Sequence, residues 1–185
     1  SVAAIYGIDA FGQTTQAYPS KPIKYIVPVA AGGGSDMVGR AVCDRLGRIL
    51  GQAMVVDNQT GGGGVIACQA TARAAPDGYT LMQGYVATHG TAPATRKLPY
   101  DAIKDFTPLG LAVESPRVII VPKDLPANTM PEFIAYVKAN QDKIQFASAG
   151  AGSASHVSCS LTNALHGGHS TAAPSRGRRP ARKDV

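Results

Sequence analysis

The chain has 185 residues, 44% hydrophobic and 16% charged, a length and composition that suit one globular domain with a real core, or one and a half smaller ones, and exclude a disordered chain. Its net charge of +6 is concentrated at one end, where Arg176, Arg178, Arg179, Arg182 and Lys183 face Asp184 alone; the body carries no basic stripe interleaved with aromatics, which argues against nucleic acid as a partner. No apolar run reaches the ~18 residues of a membrane span, and Cys43, Cys68 and Cys159 show no CxxC or Cys/His spacing, so they read as small apolar residues on helix faces and imply no metal.

Residues 1–17, SVAAIYGIDAFGQTTQA, are small and apolar, with one charge and small residues at Thr15 and Ala17 before Tyr18. They read as the remnant of an export signal or as a disordered arm. From Tyr18 onward, strands and helices alternate, the pattern of βαβ units on a parallel sheet. PIKYIVPVA (22–30) is a buried strand. Over 36–50, Met37, Val38, Ala41, Val42, Leu46, Ile49 and Leu50 recur at helical spacing, and Gly51 ends the helix.

AMVVDNQ (53–59) is a second strand, TGGGGVIACQATARAA (60–75) a second glycine turn and helix, and YTLMQG a third strand after the turn PDG. A proline-bearing segment, 90–110, follows, and then PRVIIVP (116–122), a β-branched run that predicts another strand. Thr129, Pro131 and Glu132 form a capping box that opens a helix over 131–140. KIQFASA is the next strand, and GAGSASH turns into a helix running to Leu165.

In a parallel α/β sheet, ligands bind where a strand's carboxyl end turns into the next helix, because unpaired N–H groups and the helix dipole point there. Three turns qualify: 31–36, 61–64 and 150–155. A nucleotide site fits poorly. Gly34 to Arg40 spells GxxxxG followed by Arg, without the Lys and the Ser/Thr of a phosphate-binding loop, and Met37 stands where the dinucleotide fingerprint needs its third glycine. Ser35, Ser148, Ser153, Ser155, His89 and His156 offer catalytic residue types, yet no GxSxG elbow or other triad signature is present, so no catalytic residue is assigned. The remaining reading is non-catalytic: two neutral glycine-rich helix starts closing on a small anion. The absence of Lys and Arg from 28–36 and 144–156 agrees with it.

The phrases YPSKPIKYIVPVAAGGGSDMVGRAV, GQAMVVDNQTGGGGVIACQATARAAPDGYTLMQG, KLPYDAIKDFTPLGL and FASAGAGSASH together resemble the Bug-type extracytoplasmic solute receptors, the substrate-binding proteins of tripartite tricarboxylate transporters. The likeness runs in order from Tyr18 to about Leu165. It implies an α/β fold of the periplasmic-binding-protein (Venus-flytrap) kind with two lobes: lobe one over 18–121, the start of an incomplete lobe two over 122–168, and a basic, irregular tail over 169–185.

It also implies a periplasmic solute-binding protein, not an enzyme, that needs no cofactor and captures a tri- or dicarboxylate, an aromatic acid or an acidic amino acid for the transporter's membrane subunits. The first ligand loop falls on Pro28 to Asp36, which makes Ala31, Gly32, Gly33, Gly34, Ser35 and Asp36 candidate contacts. The facing loop supplies Ser148, Ala149, Gly150, Ser153 and His156, and a segment around Val86 to His89 adds Thr88. Ligand touching both jaws favours the closed state.

Ser35 is expected to cap the helix. Asp36 either turns into backbone hydrogen bonds at the helix start or partners a ligand ammonium group, since beside a carboxylate it repels. His156 is either a ligand contact or a structural hydrogen-bonding residue. Gly61 to Gly64 is assigned to packing and turn geometry.

Two departures from the family stand out. Ala31 replaces a usual proline, and family members run much longer. The tail keeps Pro174, Arg176, Gly177, Pro180, Ala181, Asp184 and Val185 in register with a family strand whose apolar positions here read Ala172, Ala173 and Ser175. With lobe two incomplete, exposed apolar surface and unpaired strand edges are expected. The alternatives to the receptor reading are a nucleotide- or phosphate-binding α/β enzyme and a non-functional truncated remnant.

Overall fold

The computed structural model describes residues 17–174 except 142, 149 and 169, with the backbone alone for 171–174. The export-signal reading of 1–16, the basic tail beyond 174 and Ala149 lie outside the described residues.

The first unit is built on β1 (Ile23–Val27), with Ile23, Tyr25, Ile26 and Val27 buried and Lys24 exposed. That near-continuous burial follows from position: β1 is the middle strand of a parallel sheet ordered β2-β1-β3, with β2 at Met54–Asn58 and β3 at Thr80–Met82. Ile23 pairs with Met54 and Val27 with Asn58, while Lys24 to Ile26 pair with Thr80 to Met82.

Helix α1 (Gly34–Leu50) makes the first crossover. Its C-cap, Gly51, takes a left-handed φ of 64° and donates its N–H to the Gly47 carbonyl. Tyr25, Val27 and Cys43 form the buried centre between α1 and the sheet, packed around by Val29, Val42, Met54, Val56 and Leu81. Gly39 permits that approach: a Cβ there would lie 2.8 Å from Gln83 Oε1 and 2.9 Å from Val27 Cγ2.

The second crossover is a 3₁₀ turn, Gly62–Gly64, and helix α2 (Val65–Ala72). Gly64, at φ 94°, allows close packing, because a Cβ on it would run into Thr88 Cγ2. The packing role assigned to this turn therefore holds. After β3 the chain makes a single π-helical turn, Val86–Thr91, and a short helix, α3 (Ala92–Thr95). The π turn is fixed by Tyr100, whose hydroxyl donates to the Thr88 carbonyl at 2.9 Å, and by Phe106, set edge-on to His89 and Tyr100.

The strand expected over 116–122 is not formed. The residues run without regular structure, with Val118, Ile119 and Ile120 exposed. Strand preference in β-branched residues is chiefly a preference for packing on a neighbouring strand, and among the described residues none lies beside this segment.

The second unit opens with α4 (Met130–Ala139), where Thr129 Oγ1 accepts the Glu132 N–H and Glu132 Oε2 reaches back to the Asn128 N–H at 2.7 Å. Then come β4 (Gln145–Ser148), α5 (Ala154–His166) and β5 (Thr171–Pro174). β5 pairs in parallel with β4, Gln145 opposite Thr171 and Ser148 opposite Pro174. This corrects the reading of 169 onward as irregular throughout. Gly167 ends α5 in a left-handed turn, and a two-way hydrogen bond between Asn163 and Ser170 brings the chain back beside β4, where backbone pairing suffices to make a strand. No described helix is long and apolar enough to cross a membrane.

Candidate ligand-binding site

The two units place their strand-to-helix turns on one open cleft of about 2550 Å³. From the first unit come Gly32, Gly33, Gly34 and Ser35 at the start of α1, Gly61 to Gly64, and Gln83 to Val86 beyond β3; from the second come Gly150, Ala151 and Ser153 at the start of α5. This is the mouth of a parallel sheet facing a second βα junction.

The start of α1 is shaped by Asp36. It is only 2% exposed and sits in the helix's first turn. Its Oδ2 accepts the Gly32 N–H at 2.8 Å and Arg40 Nε at 3.0 Å, and its Oδ1 accepts Asn58 Nδ2 at 2.9 Å. Arg40 beside it, with Gly32 and Asn58 outweighing the opposing effect of burial, holds the carboxyl down to about 2. Of the two roles open to Asp36, the helix-start role is the one its contacts fill. The same bond engages the N–H of Gly32, one of the candidate contacts, with Asp36.

Helix bonding in α1 begins with Met37 N–H to Gly33 O at 3.0 Å, so the N–H groups of Gly34, Ser35 and Asp36 precede it and find no acceptor inside the helix. Ser35 does not cap. The N-cap is Gly33, which makes no side-chain cap, and Ser35 stands one residue inside the helix, half-buried on the cleft.

At the start of α5, Ser153 is the N-cap: its Oγ accepts the His156 N–H at 3.3 Å and meets Ser155 Oγ at 3.1 Å. Gly150, at φ 108°, has open space where a side chain would project.

The other expected contacts lie off the cleft. Ala31 is exposed beside it and absent from its lining. Ser148 is 1% exposed and accepts the Gly150 N–H at 3.4 Å, supporting the loop from beneath. Thr88 is fully buried: its hydroxyl donates to Tyr85 O and accepts the Tyr85 N–H, which leaves His89 Nδ1, at 2.8 Å, as donor to the same oxygen. Burial pushes His89 below the usual histidine range. His156 faces a separate shallow pocket beside Phe146, with the rings 6.2 Å apart. Ser148 and Thr88 are turned away because the turns that carry them spend those side chains on holding backbone, whereas His156, inside α5, lays its ring beside Phe146.

Three cleft residues were not anticipated from the sequence. Gln83 extends the β1–β3 ladder by donating its N–H to Ile26 O, and its side-chain Oε1 is buried without a hydrogen-bond partner. Its place one residue beyond a strand end was the available signal. Tyr85 and Arg96 hold the glycine turn by its carbonyls: Tyr85 Oη donates to Gly63 O at 3.4 Å and Arg96 Nη1 to Gly62 O at 3.0 Å. Among the described residues no three of His, Cys, Asp and Glu gather as metal ligands.

The family of tripartite tricarboxylate transporter receptors matches residues 38–185. Among curated relatives, a UPF0065 protein from the TAR-I ttuE-ttuC' intergenic region of Agrobacterium vitis is 36% identical over 94% of this chain and 50% of its own length. BugT of Bordetella pertussis is 32% identical over 93% of this chain and 53% of its own. The chain thus spans about half the length of the curated relatives it matches. Among solved structures, MatC of Rhodopseudomonas palustris with bound malate superposes at a TM-score of 0.83, with 38% identity, over 91% of this chain and 57% of that one. A second R. palustris protein, with adipate, reaches 0.78 at 29% identity over the same share of this chain and 56% of its own. The periplasmic binding protein BugD reaches 0.77 at 36% identity, again over 91% of this chain and 56% of its own. The α/β fold is that of periplasmic binding proteins, and this chain belongs to the tripartite tricarboxylate transporter receptor family of solute-binding proteins.

Proposed function

We propose that this chain is the ligand-capturing part of a periplasmic receptor that binds a small carboxylate between its two units and presents it to the membrane subunits of a tripartite tricarboxylate transporter. The observation that carries the reading is the opposition of two glycine-rich helix starts, at Gly33–Ser35 and Gly150–Ser153, across one cleft. Neither loop carries a Lys or Arg, so the first carboxylate is held by N–H groups at the helix starts and by the positive ends of the helix dipoles. Malate and adipate bound to two structural neighbours support the ligand class.

The cleft is several times larger than the roughly 300–1,000 Å³ of a pocket fitted to a small molecule. Capture therefore requires the units to approach, and a carboxylate that touches both helix starts only in the closed arrangement shifts the population toward it.

A thermal-shift screen tests this, with citrate, malate, adipate, an aromatic acid and an acidic amino acid, followed by calorimetry on any hit. Stabilisation by a carboxylate and none by ATP or NAD is the expected result. A well-folded chain stabilised by nucleotide instead sinks the reading.

A further inference from the structure

We propose that Arg96 receives a second carboxylate and makes the cleft selective for dicarboxylates over monocarboxylates. The inference rests on the carboxylate reading above and names a residue outside both glycine-rich ligand loops.

The backbone positions the side chain firmly. Arg96 closes the end of α3, with its N–H on Ala92 O at 3.1 Å, and its φ of −154° and ψ of 157° turn the chain out of the helix there. Nη1 is then tied to Gly62 O at 3.0 Å. One of the five guanidinium hydrogens is used in that bond, and the planar fork retains donors for an acceptor on the cleft side.

The fork lies between turns from both units. A Cβ on Gly63 would stand 3.6 Å from Nη2, and one on Gly152 would stand 3.9 Å from the same atom. The other basic residues of the cleft, Arg117, Lys138 and Lys143, belong to the 107–122 segment and to α4 and its exit.

Among the described residues no ion pair engages Arg96; those present engage Lys21, Lys24, Arg40, Arg48 and Lys104. Arg40 shows the contrast: its guanidinium is spent on buried Asp36. Two neutral helix starts suffice for one carboxylate, whereas a second negative group on the same small ligand needs a counter-charge as it leaves water. A guanidinium answers that need with two parallel N–H bonds to one carboxylate.

The test compares succinate with butyrate, which have the same carbon count and differ in the second carboxylate, by calorimetry on the wild-type chain, Arg96→Gln and Arg96→Lys. Expected are a loss of about 10-fold or more for succinate in Arg96→Gln, a change of under about 3-fold for butyrate, and an intermediate loss of succinate affinity in Arg96→Lys, which keeps charge but not the fork. Unfolding midpoints measured alongside identify any variant that acts through the Gly62 turn alone. Equal losses for the two acids, or no loss, overturn the inference and leave the carboxylate reading standing. Binding of neither acid, nor of any other carboxylate, to a folded wild-type chain overturns both.

Discussion

The buried Asp36 carboxylate accepts the N–H of Gly32, four residues before it, at 2.8 Å. That bond folds the glycine loop back onto the first turn of α1 and joins it, through Asn58, to the end of β2. The loop is thus rigid where its glycines alone would leave it free. Replacing Asp36 by Asn sets an amide N–H₂ either against the Gly32 N–H and the Arg40 Nε–H together or against the Asn58 Nδ2–H, and a loss of about 2 kcal/mol in urea unfolding at pH 7 is expected. The sign of the pH dependence follows from a folded value of about 2 against an ordinary 3.8. Asp36 contributes its full stability above about pH 5 and loses it as the pH falls through 3.8 toward 2. The gap between wild type and Asp36→Asn should therefore hold constant from pH 7 to about 5 and close below that; a gap that widens in acid refutes this account.

Two left-handed glycines of the cleft differ in what surrounds them. Gly64 is at φ 94°, with Pro28 Cβ 3.3 Å from an added methyl and Thr88 Cγ2 closer still, whereas Gly150, at φ 108°, has no heavy atom within 4 Å. Gly64→Ala combines backbone strain with overpacking, at about 2–4 kcal/mol. Gly150→Ala carries strain alone, about 1–2 kcal/mol. Chemical denaturation of both variants should rank them in that order, and equal costs would show that the Thr88 contact relaxes freely.

Much of the first unit was legible because its signals are local. The apolar runs at 22–30 and 53–59 and the spacing from Met37 to Leu50 sit in the elements they predict. The Thr129 cap with Glu132 was equally readable. What escaped is non-local. Asp36 is defined by Asn58, 22 residues on, and Arg96 by Gly62, 34 residues before it; no spacing rule reaches that far. Thr88 was expected at the cleft, and His156 either there or in a structural role, from the family resemblance, but only three dimensions show which way such a side chain faces. PRVIIVP misled for a related reason: its local preference was correctly read, and the neighbouring strand that converts preference into structure is not among the described residues.

That segment carries its own prediction. Val118 is 77% exposed and Ile120 61%, in an irregular β-branched run without a partner strand among the described residues. Such a run invites pairing between chains. Ile120→Lys should lower concentration-dependent light scattering of the 185-residue chain and leave its unfolding midpoint within about 0.5 kcal/mol of wild type. A large fall in midpoint would mean that Ile120 is packed in solution.

Thr88 separates support from contact. Its hydroxyl is saturated by Tyr85 and His89, and its carbonyl takes the Tyr100 hydroxyl at 2.9 Å, all away from solvent. Thr88→Val keeps the shape but strands the Tyr85 N–H and His89 Nδ1–H, while the Tyr85 carbonyl keeps the Thr88 and His89 backbone N–H groups, at about 1–3 kcal/mol. Tyr100→Phe leaves the Thr88 carbonyl without its donor, at about 1 kcal/mol. Both costs appear in unfolding. Because Tyr85 lines the cleft and Thr88 does not, carboxylate affinity measured well below the unfolding transition should stay within about 3-fold of wild type in Thr88→Val. A loss beyond about 10-fold in a folded protein would put the Thr88 hydroxyl on the ligand after all, and would require the π turn to open when the units close.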